Sequence, residues 1–115
     1  MQYYRIKKQK DLTRLFSKGK RAYSSALTVV YVPAERTSLA VCVGKKHGKS
    51  VKRNRIKRLL REAFRAVCKE NAFHAPFAFA LMPKEAESYS FATFKKAFFY
   101  AVKKAKLIED KGDRK

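Results

Sequence analysis

Val51-Lys52-Arg53-Asn54-Arg55-Ile56-Lys57-Arg58-Leu59-Leu60-Arg61-Glu62-Ala63-Phe64-Arg65-Ala66-Val67-Cys68-Lys69-Glu70 carries two patterns at once. Ile56, Leu59, Leu60, Ala63, Phe64 and Val67 recur at three- and four-residue steps, the spacing of one apolar helix face. Arg53, Lys57, Arg61 and Arg65 climb at four-residue steps, and at about 100° per residue Asn54, Arg55 and Arg58 widen that face away from the apolar stripe. Arg53 lies nearest the stripe, in the first turn. A helix over residues 51–70 therefore buries one side and offers cations on the other. Between residues 45 and 69 there are eleven Lys or Arg and a single acid, Glu62, half of the chain's net charge of +20. A merely solvated helix face interleaves acids at four-residue steps, so this one reads as a surface for an anionic partner. Guanidinium forks bind phosphate with two donors and stack on bases, and Asn54 adds a donor–acceptor pair within reach of a base edge or ribose hydroxyl.

Outward from this helix, Phe77-Ala78-Phe79-Ala80-Leu81-Met82 alternates large residues with alanines, predicting a strand with one bulky face and one that admits close neighbours. Pro83 ends it. A last helix is predicted over 91–107, with Ser90 as N-cap and Phe91, Phe94, Phe98, Ala101, Val102 and Ala105 as its buried stripe. On the other side, residues 44–50 hold two glycines and three lysines and read as a loop. Strands at 27–32 and 38–43 flank the turn Pro33-Ala34-Glu35-Arg36, which predicts an antiparallel hairpin. A short helix is predicted over 10–18, from Leu12, Leu15 and Phe16 on one face, with Gly19 as its stop. The basic segment 1–9 is expected to order on binding RNA, and the polar tail 109–115 to fray. Helix, strands, helix, strand, helix is an α+β arrangement on one small sheet.

At 115 residues the chain is expected to form one domain, 1–115, and 46% hydrophobic content is enough for a core. No apolar run approaches the roughly 18 residues of a membrane span. No apolar stretch follows the first basic residues, so a cytoplasmic protein without a secretory signal is expected. A charge of +20 and a pI near 10.3 favour a polyanionic partner, nucleic acid ahead of an anionic membrane, through counterion release. Cys42 and Cys68 have neither CxxC nor disulfide-framework spacing and read as buried, reduced thiols.

Gly44-Lys45-Lys46-His47-Gly48-Lys49-Ser50 leading into Val51-Lys52-Arg53-Asn54-Arg55-Ile56-Lys57-Arg58-Leu59-Leu60-Arg61-Glu62-Ala63-Phe64-Arg65 resembles the signature of the bacterial ribonuclease P protein component: a Lys-Lys-x-Gly loop followed by an Arg-Asn-Arg helix. Arg5-Ile6-Lys7-Lys8 and the helix end from Phe16 to Gly19 match the family's opening. The resemblance implies an αβββαβα layout, a small central mostly antiparallel sheet, and a left-handed βαβ crossover where general chirality favours the right hand. It also requires one more strand, expected near residues 21–25. It implies that Arg53, Asn54, Arg55, Lys57, Arg58 and Arg61 dock on the catalytic RNA; Arg65, Lys46, Lys49 and Lys52 extend that surface. Onto a cleft between the first helix and the sheet, for the 5′ leader of precursor tRNA, map Leu12, Phe16, Tyr31, Lys45 and Lys84. The chain departs from the pattern at Gly44 (commonly Ser or Thr), His47 (commonly apolar) and Leu12 (usually aromatic).

The implied role is that of a non-catalytic subunit of an endoribonuclease, partnered by ribonuclease P RNA and precursor tRNA, with no membrane and no obligate protein partner. His47 and His74, the only histidines, lie in separate segments without a carboxylate nearby in sequence and read as surface residues. The acids are scattered, so no catalytic residue and no metal site on the protein is expected, and Mg2+ would belong to the RNA. A small basic ribosomal protein would explain the charge but neither the long motif nor the aromatic cleft positions. A protein-only nuclease needs an acid–base or metal cluster that the sequence does not offer.

Overall fold

The computed structural model describes residues 3–108; the tail 109–115 lies outside them. The elements are β1 (Tyr4–Arg5), α1 (Gln9–Lys18), β2 (Lys20–Tyr23), β3 (Leu27–Pro33), β4 (Ser38–Val41), a 3-10 turn (Lys45–His47), α2 (Ser50–Glu70), β5 (Phe77–Pro83) and α3 (Phe91–Lys104). After the two-residue β1 this is the αβββαβα order that the resemblance implies.

The five strands form one sheet in the order β1-β4-β5-β3-β2. β1 and β5 pair with β4 in parallel, while β3 pairs antiparallel with both β5 and β2. The sheet is therefore mixed rather than mostly antiparallel. The expected hairpin between residues 27–32 and 38–43 does not form, because β5 lies between those strands. Its Phe77, Phe79 and Leu81 are apolar on one face and its Ala78, Ala80 and Met82 on the other, so only a central position covers both. The tight hairpin is β2–β3, with Tyr23 opposite Thr28, and β2 supplies the strand expected near 21–25. Ser24 Oγ donates to the Leu27 carbonyl at 2.9 Å and fixes the turn. β4, α2 and β5 make the parallel crossover unit.

Side-chain alternation splits the core in two. Leu27, Val29, Leu39, Phe79 and Leu81 face α2 and α3. There the Phe79 ring meets Phe64, Phe73 and Phe98 at centroid distances of 5.5, 5.5 and 5.6 Å. α2 buries Ile56, Leu60, Ala63, Phe64, Val67 and Cys68, with Leu59 half-buried on its flank. α3 buries Phe94, Ala97, Phe98, Ala101 and Val102. Phe91, expected in that stripe, is exposed in the first turn, and Ala97 extends the stripe instead. Ser90 caps the helix, accepting the Thr93 N–H at 3.2 Å. α3 stops at Lys104, short of 107, because Lys106 takes φ 63°; that left-handed turn brings Leu107 and Ile108 back into the core.

On the opposite face Val30, Ala40 and Ala80 meet Leu15 of α1, with Leu12, Phe16, Val32, Cys42, Ala78 and Met82 half-buried around them. The alanines let a ten-residue helix approach closely. Gly19 serves the same approach: a Cβ there would meet the Leu15 carbonyl at 2.5 Å and Val30 Cγ1 at 2.7 Å. Of the segment expected to order on RNA, Tyr4 to Ile6 already pair with the sheet, while residues 1 and 2 lie outside the described residues. The Tyr4 N–H donates to the Thr37 carbonyl at 3.0 Å and the Ile6 N–H to that of Leu39 at 2.9 Å, while Tyr3 sets its ring edge-on to Phe64 at 5.1 Å. Among the described residues no helix is long and apolar enough to cross a membrane.

Candidate nucleic-acid interface

α2 starts from a turn that only part of its glycine content shapes. Gly48 has φ 120°, a region other residues rarely adopt. Gly44 has φ −88° and open space around a would-be Cβ, so the departure there imposes no geometry. No side chain caps the start of α2 and its first turn holds no acid. Its open N–H groups and positive dipole end add to the exposed Lys45, Lys46, Lys49 and Lys52.

Along α2, Asn54, Arg55, Arg58 and Arg65 are exposed, whereas Arg53, Lys57 and Arg61 are half-buried. Arg58 Nε pairs with Glu62 at 3.2 Å, a surface pair worth little in water. The Arg65 guanidinium lies 6.0 Å from the Tyr3 ring. Arg53 Nε is buried with no hydrogen-bond partner. A buried donor left open costs about 1–3 kcal/mol, which an acceptor on a partner would offset.

Lys57 and Arg61 line a cavity of about 260 Å³ together with Arg5, Lys7, Leu12, Cys42 and the Leu39–Val41 edge of β4. Its floor is apolar and its rim cationic, a shape that takes a base inside and phosphates at the lip. The cavity joins Leu12 of α1 to the basic face of α2. Arg5 and Lys7 were not picked out as site residues from the sequence, although the run Arg5-Ile6-Lys7-Lys8 was the signal. Phe16 lies on the same side of the sheet, with the Arg21 guanidinium 5.9 Å from its ring; Arg21 too was missed.

Tyr31 does not join them. It packs against the opposite core, edge-on to Phe77 at 6.1 Å, because it shares strand parity with Leu27 and Val29. Lys45 and Lys84 are exposed beyond the C-terminal ends of the adjacent parallel strands β4 and β5, at one end of the sheet. His47 is buried, not a surface residue: its Nδ1 lies 2.8 Å from Tyr89 Oη. Burial foremost, then Lys46, lowers its pKa below the usual 6.5. His74 is exposed. Burial pushes the Cys68 thiol up to about 12 and raises that of Cys42. Among the described residues no three His, Cys, Asp or Glu side chains group to hold a metal ion. What the side chains do assemble is a binding surface of cations around an apolar hollow.

The family model described as ribonuclease P matches residues 1–106. The ribonuclease P protein component of Clostridium kluyveri is 48% identical over 68 residues, 56% of this chain and 60% of that relative. That of Caldanaerobacter subterraneus subsp. tengcongensis is 34% identical over 109 residues, 93% of each. Among solved structures, the Staphylococcus aureus RNase P protein superposes with a TM-score of 0.77 at 25% identity, covering 94% of this chain and all of that one. The Thermotoga maritima RNase P protein gives 0.74 at 23% identity, covering 87% and 96%, and shares the fold.

Proposed function

The chain belongs to the ribonuclease P protein family, and from that premise we propose that it is the protein subunit of a cytoplasmic ribonuclease P, binding the catalytic RNA through α2 and the 5′ leader of precursor tRNA through the groove between α1 and the sheet. The observation that carries this reading is the shared cavity: Lys57 and Arg61 of the Arg-Asn-Arg helix and Leu12 of α1 line one hollow. An RNA held on α2 thus lies beside a groove fit for single-stranded bases. Arg53, Asn54, Arg55, Arg58 and Arg65, with Lys46, Lys49 and Lys52, engage phosphates and base edges of the catalytic RNA. Leu12 and Phe16 cover leader bases, and Lys45 and Lys84 meet leader phosphates. Hydrolysis belongs to the RNA and its Mg2+; the protein's cations neutralise phosphate that Mg2+ would otherwise have to screen.

The test is reconstitution. Cleavage of precursor tRNA is measured with protein alone, ribonuclease P RNA alone, and both, across a Mg2+ series. Protein alone is expected to cleave nothing, and protein with RNA to cleave at lower Mg2+ than RNA alone. Cleavage by RNA-free protein, or an unchanged Mg2+ requirement, overturns the reading.

A further inference from the structure

Two loops leave the same end of the sheet, one after β4 and one after β5. Both are largely solvent-exposed, the second is tied at its start by the Lys84 N–H donating to the Ala26 carbonyl at 2.9 Å, and each sends one side chain inward. In residues 44–50 only His47 is buried, and in residues 84–90 only Tyr89 is even half-buried. These two side chains bond to each other. Tyr89 Oη lies 2.8 Å from His47 Nδ1 and accepts the Ala86 N–H at 3.2 Å. The hydroxyl keeps its proton and a second lone pair, so it can donate to Nδ1 or accept from Nδ1–H, according to the imidazole tautomer. The two rings also meet edge to face at 5.8 Å. Tyr89 is itself held by stacking on Phe94 at 5.8 Å, and the Lys52 ammonium sits 6.0 Å from its ring. Phe94 belongs to the core and Lys52 to the first turn of α2, so the contact ties both loops to the helix that begins the basic face.

We propose that His47 and Tyr89 are positioning residues: their hydrogen bond clasps the lysine-bearing 3-10 turn to the β5–α3 loop, so that Lys45 and Lys84 meet the leader backbone as a preset pair. The inference rests on the leader reading above and adds how two loops from separate strands are held in one geometry. Lysines are flexible point charges, so two of them on independently moving loops would lose entropy on gripping one strand; holding the loops together in the free protein removes part of that cost. A leucine at position 47 would keep apolar contact with the tyrosine ring but could not hydrogen-bond its hydroxyl.

The experiment uses holoenzyme reconstituted with ribonuclease P RNA at fixed salt and pH. It compares affinity for a precursor with a leader of several nucleotides against affinity for mature tRNA, in wild type, Tyr89→Phe, His47→Leu, the double variant and His47→Asn. Tyr89→Phe and His47→Leu should each lower the leader-dependent affinity about threefold to tenfold, the worth of one hydrogen bond. The double variant should be no worse than either single one, since both break one contact. His47→Asn, whose side-chain amide can pair with the Tyr89 hydroxyl as donor or acceptor, should recover most of the loss. Mature tRNA affinity should not move. Unchanged precursor affinity, additive losses, or equal losses for precursor and mature tRNA overturn the clasp. Wild-type protein that fails to lower the Mg2+ requirement overturns the ribonuclease P reading instead, so the two failures are told apart.

Discussion

The two faces of the sheet are written by alternate residues of the same strands, yet they do different work. Toward α2 and α3, β5 presents Phe77, Phe79 and Leu81; toward α1 it presents Ala78, Ala80 and Met82. The first face is covered by helices of 21 and 14 residues, the second by a helix of ten. Bulk on one side fills the space between sheet and helices at interior density. Small residues on the other let α1 sit close while Leu12 and Phe16 stay only half-buried. A domain of this size has little area to spare, and here stability is concentrated on one face so that the other can keep a groove open.

The largest effect that tests this division is at Phe79, which is 1% exposed at the centre of the bulky face. Phe79→Ala should cost about 3–5 kcal/mol, the range for a buried aromatic deleted from a core, measured by urea denaturation. That is much of a small domain's total stability. A loss under about 1 kcal/mol would show that the bulky face is not where stability resides.

A second pair of substitutions asks whether the faces differ in function. Phe16→Ala, on the α1 side, should weaken holoenzyme binding of leader-bearing precursor by about 1–3 kcal/mol, the range for one base–aromatic stack, with mature tRNA unaffected. Tyr31→Ala, on the other side, should destabilise the fold by about 1–3 kcal/mol and leave the preference for leader-bearing over mature tRNA intact. The reverse pattern would put the leader on the wrong face and remove the reason for the groove.

Tyr31 also shows how far the sequence could be read. The strand over residues 27–32 and its alternation were legible, because Leu27, Val29 and Tyr31 differ in parity from Val30 and Val32. Which parity faced α1 was not, since both sets are apolar; only Leu15 wedged against Val30, Ala40 and Ala80 decides it. The helices were legible because their stripes are long, and the basic face of α2 because its cations share a four-residue step. Strand order was not: Pro33-Ala34-Glu35-Arg36 looks like a hairpin turn locally, and the competition is won by β5, which is apolar on both faces and takes the place beside β3. His47 misled for a similar reason. Its partner Tyr89 lies 42 residues away, beyond any local pattern.

The two thiols probe the same comparison chemically. Cys68 faces the bulky core and burial pushes its pKa up to about 12. Cys42 lines the cavity on the α1 side, where burial raises its pKa and the Lys57 ammonium opposes that rise. Thiolate is the reactive form, so iodoacetamide at pH 8 should modify Cys42 at least about tenfold faster than Cys68, read by peptide mass spectrometry. Leader-bearing precursor in the holoenzyme should protect Cys42 more than mature tRNA does. Equal rates would mean that the α1 side is packed as tightly as the other.

The smallest and sharpest effect is at Leu12. It stands four residues before Phe16, so both project from one side of α1, and it lines the cavity rimmed by Lys57 and Arg61. Leucine covers a base with apolar surface but has no π face to stack on it. Leu12→Phe should therefore tighten leader-bearing precursor by at most about 1 kcal/mol and leave mature tRNA unchanged. Leu12 is half-buried over alanines and not locked in the bulky core, so the substitution should move stability by no more than about 0.5 kcal/mol. The sign matters more than the size. If Leu12→Phe weakens leader binding while stability holds, the hollow itself receives a base and the new ring occupies its place, so the groove is an insertion site and not a stacking shelf. If instead stability falls by 1–3 kcal/mol, the signature of overpacking, the α1 side is as closely packed as the face around Phe79, and the division of labour between the faces fails.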